Sequence, residues 1–345
     1  MKTTKKLFNF QRLVRHFLGN ARGRRFLERV YNCNLLTDKQ YLSLVYMLEN
    51  EDRIDWKNPR SFKEKLQWRK LYDRNPLYTD LVDKVKFKQW AAGVIGDEYI
   101  IPTLAVWDRP EDIDFSVLPS RFVLKCNHNS GNNYIHSDDS VPDAERIRGI
   151  MKQNYEYNYF KHAGEWPYKN VERKVLAEQF LSDGEEEWMP DYKFYCFHGQ
   201  PLYVQINSFG RHYHMSDNRA VKSYQAFYDM EWNKQEFIHG YPYENDVYTE
   251  KPANFEKMIE LAAKLSKDIP FVRVDFYNLK GKIYVGEMTF FPYAGFKGLT
   301  PEKWDYYFGY LIKLERNEIC ICAGKRRQRL LCRANIYIYV LSAAV

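Results

Sequence analysis

The sequence predicts an α+β fold, and two kinds of pattern carry that reading. The first is a pair of antiparallel hairpins in the second half of the chain. One is DYKFYCF, the turn His198-Gly199-Gln200 and PLYVQINS; the other is FVRVDFY, the loop NLKGK and IYVGEMTF. Their arms are rich in β-branched and aromatic residues, and each connection contains a Gly that lets the chain reverse. The second is a set of segments whose apolar residues recur on one side of a helix.

Taken in order, Ser61 opens a capping box with Glu64, and Phe62, Leu66 and Leu71 follow on a helical period, so residues 62–72 read as a helix. A second helix is expected from near Asp83, through Val85, Phe87 and Trp90, to Gly93, a residue type favoured at the left-handed end of a helix. Between Phe115 and Asn127, FSVLPSRFVLKCN reads as a strand that ends in the polar turn HNSGNN, and Lys174 to Leu181 reads as another strand. Residues Asn254 to Lys267 form an amphipathic helix with Phe255, Met258, Ile259, Ala262 and Leu265 on one side.

A chain of 345 residues, 45% of them hydrophobic, buries a core in two or three subdomains. Its 28 Tyr and 22 Phe serve that core and also supply ring faces suited to stacking on a sugar or a base. The net charge of +7 is uneven: residues 1–30 hold nine Lys and Arg against the single acid Glu28. Because Phe8, Phe10, Leu13, Val14, Phe17 and Leu18 are interleaved with these charges, the stretch suits either an anionic membrane surface or packing on its own domain. No nucleic-acid module continues it, so nucleic acid is not expected as a partner. The six cysteines lack paired zinc-like spacings and read as reduced thiols. With no run of 18 apolar residues and no signal-peptide pattern, the protein is expected in the cytoplasm, its N-terminus at the inner face of the membrane. From Glu315 the composition changes: Lys325, Arg326, Arg327 and Arg329 precede the apolar ANIYIYVLSAAV, which reads as a foreign or frame-altered segment, or as a basic helix and a strand.

The chemistry concentrates on the last hairpin. Arg273, Asp275 and Tyr277 alternate on one strand, and Val285, Glu287 and Thr289 on the other. A five-residue loop, Asn278 to Lys282, pairs Tyr277 with Ile283 and Asp275 with Val285. Glu287 then lies diagonal to Asp275 on one face, about 7–8 Å away at the backbone. Two acids and an Arg among apolar residues need compensation. Mg²⁺ bridging nucleotide phosphates supplies it, and so does an Arg-carboxylate salt bridge. Lys125 ends an apolar strand ahead of Asn127 to Asn133, a loop of small polar residues that reads as a phosphate cradle or as a plain turn. It is not a Walker loop, which needs a following Gly-Lys-Ser/Thr. Lys193 sits inside another apolar strand. No Ser/His/Asp or Cys/His set is evident, and His128, His198, His212 and His214 read as loop residues.

The order of Lys125 and its loop, Glu178-Gln179-Phe180-Leu181, Lys193, Arg273, Asp275 and Glu287 resembles that of ATP-grasp enzymes. The spellings resemble the TupA-like branch: Asn58-Pro59 before Ser61-Phe62-Lys63-Glu64-Lys65-Leu66, FVLKCNHNSG, Glu165-Trp166-Pro167-Tyr168, LAEQF, DYKFYCFHG, VRVDFY and GEMTFFPYAGF. The resemblance covers Asn58 to Leu314. It implies an ATP-grasp fold, two α+β subdomains holding ATP between antiparallel sheets. Residues 1–57 would be a basic helical extension, 58–120 an N-terminal subdomain, 121–180 the nucleotide-loop subdomain, 181–314 the metal-binding subdomain and 315–345 an atypical tail.

It implies roles as well. Lys125 binds the α- and β-phosphates, and the loop with Asn129, Ser130 and Gly131 closes over them. Glu178, Gln179, Phe180 and Leu181 read the adenine edge through backbone groups, and Lys193 contacts the nucleotide. Arg273 meets the γ-phosphate and is, with Lys125, the catalytic pair. Asp275 and Glu287 hold magnesium, and Thr289 stands where many ATP-grasp enzymes have a ligand Asn. The implied reaction phosphorylates a carboxylate to an acyl phosphate that an amine attacks, in the building of bacterial surface polymers such as teichuronopeptide. Its partners would be ATP and a carboxylate- and amine-bearing sugar or amino acid. A glycosyltransferase-like enzyme or a kinase acting on a hydroxyl is the alternative; for a DXD-type site, Asp138-Asp139 is a poor match. Arg211 to His214 form a basic aromatic loop suited to an anionic sugar or to solvent.

Overall fold

Two antiparallel sheets, each covered on one face by a helix, organise the chain in a computed structural model that describes residues 21–182, 191–209, 223–240 and 250–314. The first twenty residues, the loop Arg211 to His214 and the tail from Glu315 lie outside the described residues. The described residues through Lys313 form one compact unit.

The first sheet consists of β1 (Thr103–Trp107), β2 (Phe122–Cys126), β3 (Tyr134–His136) and β4 (Val175–Gln179), in the order β1-β4-β2-β3. Alternation sorts its faces. Phe122, Leu124 and Cys126 of β2, with Val175 and Ala177 of β4, join Ile147 and Met151 of helix Ala144–Glu156 in a core cluster. Val123 and Lys125, with Leu176 and Glu178, therefore occupy the other face.

The second sheet consists of β5 (Asp191–Phe197), β6 (Gln200–Phe209), β7 (Ser223–Asp229), β9 (Val272–Leu279) and β10 (Lys282–Thr289), in the order β10-β9-β5-β6-β7. Helix Phe255–Leu265 covers it, with Phe255 stacked 5.6 Å from Phe194. The short strands β8 (Ile238–His239) and β11 (Leu299–Thr300) pair separately.

Helix Phe62–Tyr72 starts at the expected capping box: the Glu64 amide donates to Ser61 Oγ at 3.3 Å and the Ser61 amide to Glu64 Oε2 at 3.0 Å. The next helix, Lys84–Ile95, is capped by the Asp83 carboxylate but does not stop at Gly93. Gly93 is exposed within it, a helix-interior position where Gly costs about 1 kcal/mol. The chain turns out at Gly96, whose φ is +104°. The strand expected from Phe115 is shorter too. Residues Phe115–Val117 form a 3₁₀ turn capped by Asp114, and pairing begins at Phe122, after Pro119, which has no N–H to donate. Helices Ala21–Asn32 and Asp38–Asn50 bury Leu27, Tyr31, Tyr41, Leu42 and Val45 in a cluster shared with Phe160 and Phe296.

Candidate active site

The last hairpin departs from its expected register. β9 and β10 are joined by the two-residue turn Lys280-Gly281, with φ of +47° and +86°, in place of a five-residue loop. Tyr277 consequently faces Tyr284, and Phe276 faces Val285. A bulge then inserts Gly286, so that Glu287 lies directly opposite Asp275 and Thr289 opposite Arg273. Each shift of one residue exchanges faces, and two restore them. Glu287 and Thr289 thus reach the expected face, whereas Val285 leaves it. A side chain at position 286 would approach the Tyr277 ring to 3.0 Å, which suits Gly at the bulge.

Pairing across β6, β5, β9 and β10 sets two adjacent rows, Gln205-Lys193-Asp275-Glu287 and Tyr203-Tyr195-Arg273-Thr289. Arg273 Nε and Nη2 donate to the two Asp275 oxygens, each at 2.7 Å, and Nη2 also donates to Thr289 Oγ1 at 3.1 Å. Lys193 Nζ donates to Asp275 Oδ2 at 2.8 Å and to Asp191. Burial would raise the Asp275 pKa, but Arg273 and Lys193 outweigh it and hold the group below the usual carboxylate range. Burial pushes the Asp191 carboxyl up, in spite of Lys193. Glu287 differs from both: its side chain is 40% exposed, 3.6 Å from Arg273 and within reach of the Thr289 hydroxyl, which donates to it at 3.2 Å.

The first sheet supplies the opposing wall. Lys125 Nζ lies 2.5 Å from one Glu178 oxygen and Lys88 Nζ 2.6 Å from the other. Lys88 also donates to the Ile101 carbonyl at 2.8 Å and to Thr103 Oγ1 at 2.9 Å. Burial would raise Glu178, yet the two lysines hold it down at about 2. Lys84 donates to the Asn129 carbonyl and lies in the field of Glu287, Lys125 and Glu178 together. Tyr277 feels Asp191, Glu287, Asp275 and Glu178. Lys84 and Tyr277 each interact with carboxylates of both sheets, so the two polar faces are neighbours.

The loop after Lys125 is anchored at its start. Asn127 donates to Asp83 at 2.9 Å and to the Glu172 carbonyl at 2.8 Å, and accepts from the Lys174 amide at 2.7 Å. Asn129 is buried and donates to the Asn154 carbonyl at 3.2 Å. Ser130 adjoins Tyr159, and Gly131 and Asn132 stand exposed at φ of +76° and +55°. On the Glu178 to Leu181 stretch, the Gln179 amide donates to the Pro102 carbonyl at 3.0 Å, and Phe180 and Leu181 lie half-buried past the end of β4. Sequence reasoning missed Lys84 and Lys88. Their signal was their spacing of four, which puts both on one helix face.

Among the described residues, no three His, Cys, Asp or Glu side chains converge as a metal cage. The cleft offers instead the two carboxylates Asp275 and Glu287 and the Thr289 hydroxyl. This all-oxygen set fits Mg²⁺, which takes one or two carboxylates and completes its shell with water and substrate phosphates.

The TupA-like ATP-grasp family matches residues 64–313, and the chain belongs to that family. Among solved structures it is similar to D-alanine-D-alanine ligase from Bacillus anthracis, at 14% identity over 61% of this chain and 56% of that one, with a TM-score of 0.38. The corresponding ligase from Helicobacter pylori gives 13% identity over 68% and 58%, with a TM-score of 0.40. D-cycloserine synthetase DcsG gives 15% over 62% and 64%, with a TM-score of 0.36. This chain thus spans less than two thirds of the length of each. No curated protein matched the sequence.

Replacing Lys125 by Met is expected to weaken binding of a non-hydrolysable ATP analogue about 10-fold or more, since a hydrogen bond to a charged group contributes about 1.5–3 kcal/mol. Calorimetric titration decides it; affinity equal to the parent's would remove Lys125 from the phosphate site.

Proposed function

We propose that this protein is an ATP- and Mg²⁺-dependent carboxylate-amine ligase of bacterial cell-surface polysaccharide biosynthesis. The observation that carries the reading is the row Lys193-Asp275-Glu287, beside Arg273 and Thr289, on the same cleft as Lys125, Lys88 and Glu178. In this reading Lys125, Lys193 and Arg273 receive the phosphates. The loop with Asn129, Ser130 and Gly131 covers them, and the stretch from Glu178 to Leu181 borders the adenine. Asp275 and Glu287 would hold Mg²⁺, with Thr289 beside them, and the ion would neutralise charge developing on the transferred phosphoryl group. Residues 121–180 then serve as the nucleotide-loop subdomain and 181–314 as the metal-binding one.

A substrate carboxylate oxygen attacks the γ-phosphorus and ADP leaves. An amine nitrogen next attacks the acyl carbon, phosphate leaves, and the amine proton passes to solvent. The chain's part is to align these groups and exclude water, so no protein nucleophile is required. Cys126 and Cys196 are fully buried, and burial lowers His128 to about 4 and His239 to about 3. Asp138 and Asp139 are exposed in a turn, bonded to Ser140 and Arg121, which speaks against a DXD-type site.

Incubation with ATP, Mg²⁺ and a panel of uronic acids and amines, with ADP and product mass measured, tests the ligase reading. A phosphorylated hydroxyl product, with no amide in any arm, would replace it by a kinase.

No described helix is long and apolar enough to cross a membrane. The basic excess of residues 1–30 should draw the protein to an anionic leaflet, each Lys or Arg contributing about 1 kcal/mol. Co-sedimentation with anionic vesicles should exceed that with neutral ones and fall with salt; equal binding to both would remove the membrane role.

A further inference from the structure

Phe is among the residue types most often packed away, yet Phe26 of helix Ala21–Asn32 is 60% exposed. The helix sorts its residues by spacings of three and four. Gly23, Leu27 and Tyr31 form the inner face. Leu27 and Tyr31 join the core cluster with Phe160 and Phe296, and the Tyr31 ring stacks 4.0 Å from that of Tyr41. Arg22, Arg25, Phe26 and Arg29 stand on the opposite face, all exposed.

A single exposed ring needs no explanation, but this one has apolar neighbours. The helix ends in a left-handed turn at Asn34, with φ of +57°. There the Leu35 amide donates to the Val30 carbonyl at 3.2 Å and the Asn34 amide to the Tyr31 carbonyl at 2.9 Å. Such a pair of bonds brings the residue after the turn back beside the last turn of the helix. Leu35, 73% exposed, therefore adjoins Val30, which is one helical turn beyond Phe26. Phe26, Val30 and Leu35 make a short apolar line bordered by the arginines.

The free charges along that line have one sign. Among the described residues no carboxylate pairs with Arg22 or Arg29. Lys161 Nζ donates to Asn34 Oδ1 at 2.8 Å and adds a cation at the end of the line. The neighbouring acids are engaged: Glu28 lies 3.1 Å from His162, and Asp38 accepts from the Tyr31 hydroxyl at 2.9 Å. In sequence, residues 1–20 continue this composition, with five Lys and Arg and no acid among apolar residues. Cations beside an exposed apolar line complement an anionic bilayer, where rings and branched chains enter the headgroup boundary and guanidinium groups meet phosphates. A nucleic acid would use the cations and leave Phe26 and Leu35 without a partner.

We propose that this face of helix Ala21–Asn32 is a docking surface for an anionic lipid bilayer, with Phe26 and Leu35 entering the headgroup region and Arg22 and Arg29 facing lipid phosphates. The inference rests on the membrane part of the proposed function and is independent of the ligase reading. It adds an orientation. Leu27 and Tyr31 fix the helix to the unit that carries the candidate active site, so the bilayer holds that unit by a set face instead of by a loose tether.

The full chain is co-sedimented with vesicles of phosphatidylcholine, with and without phosphatidylglycerol, as the parent, Arg22→Gln/Arg29→Gln and Phe26→Ser/Leu35→Ser. All four positions are exposed, so both variants should melt as the parent does. Partition onto the anionic vesicles should fall about 10-fold or more in each. The arginine variant should lose mainly the binding seen at low salt, and the apolar variant the part that survives high salt. Parent-like partition in either variant, while the parent binds, overturns this proposal and leaves the attraction to residues 1–20. A parent that shows no preference for the anionic vesicles removes the membrane reading itself. A parent found dimeric by light scattering, with Phe26→Ser/Leu35→Ser monomeric, would overturn the proposal by assigning the face to a second copy.

Discussion

Replacing Glu287 by Ala is expected to lower ATP turnover by about 10³-fold with little change in melting temperature, whereas Asp275→Ala should lose turnover and stability together. The two carboxylates differ in surroundings although they are paired across one ladder. Glu287 is 40% exposed, so its loss removes a metal-facing oxygen and leaves little buried charge uncompensated. A metal ion contributes several kcal/mol to a charged transition state, and about 4 kcal/mol corresponds to three powers of ten in rate. Asp275 is buried between Arg273 and Lys193, and its removal takes the bidentate partner from Arg273 and leaves Lys193 with Asp191 alone, a loss of about 3 kcal/mol. ADP release and thermal melts on both variants decide the matter. Parent rates in Glu287→Ala would end its assignment to the metal, and a parent-like melt of Asp275→Ala would show that the cations are satisfied elsewhere.

The second large effect is expected at Glu178→Gln, which should lose about 3–5 kcal/mol at neutral pH, because Lys88 and Lys125 then share no anion. Its pH dependence carries a definite sign. The folded-state carboxyl titrates at about 2 against an ordinary 4.5, so its contribution is fully present above about 4.5 and disappears as pH falls through about 2. A depression of that size is worth about 3 kcal/mol, in line with the direct figure. Denaturant unfolding of parent and variant at pH 7, 5 and 3 should therefore show a gap that narrows toward acid. A gap independent of pH, or no gap at pH 7, would show that the ion triad does not hold the cleft wall.

Much of the site was legible because its signals are local. The alternation of Arg273, Asp275 and Tyr277 needs nothing beyond strand geometry, and the Ser61-Glu64 cap needs only one turn of helix. The spacing of Lys84 and Lys88 was local as well, yet without a partner in view two lysines on a helix read as a solvated face. Gly93 misled for a related reason: a Gly permits a helix to end without compelling it, and the chain continues to Ile95.

By itself the sequence determined which segments pair as hairpins, which residues alternate toward a common face and where the polar loop after Lys125 begins. These follow from side-chain periods and turn chemistry over a few residues. Tertiary structure alone decided the register, since a two-residue turn and a one-residue bulge at Gly286 each shift it and the effects compound along the strand. It alone decided that Glu178 meets Lys125 and Lys88, that Arg69 and Lys70 are buried, and that Tyr293 and Arg24 border one cavity. Those contacts join residues tens to hundreds of positions apart, and their energies depend on burial, which a linear pattern does not specify.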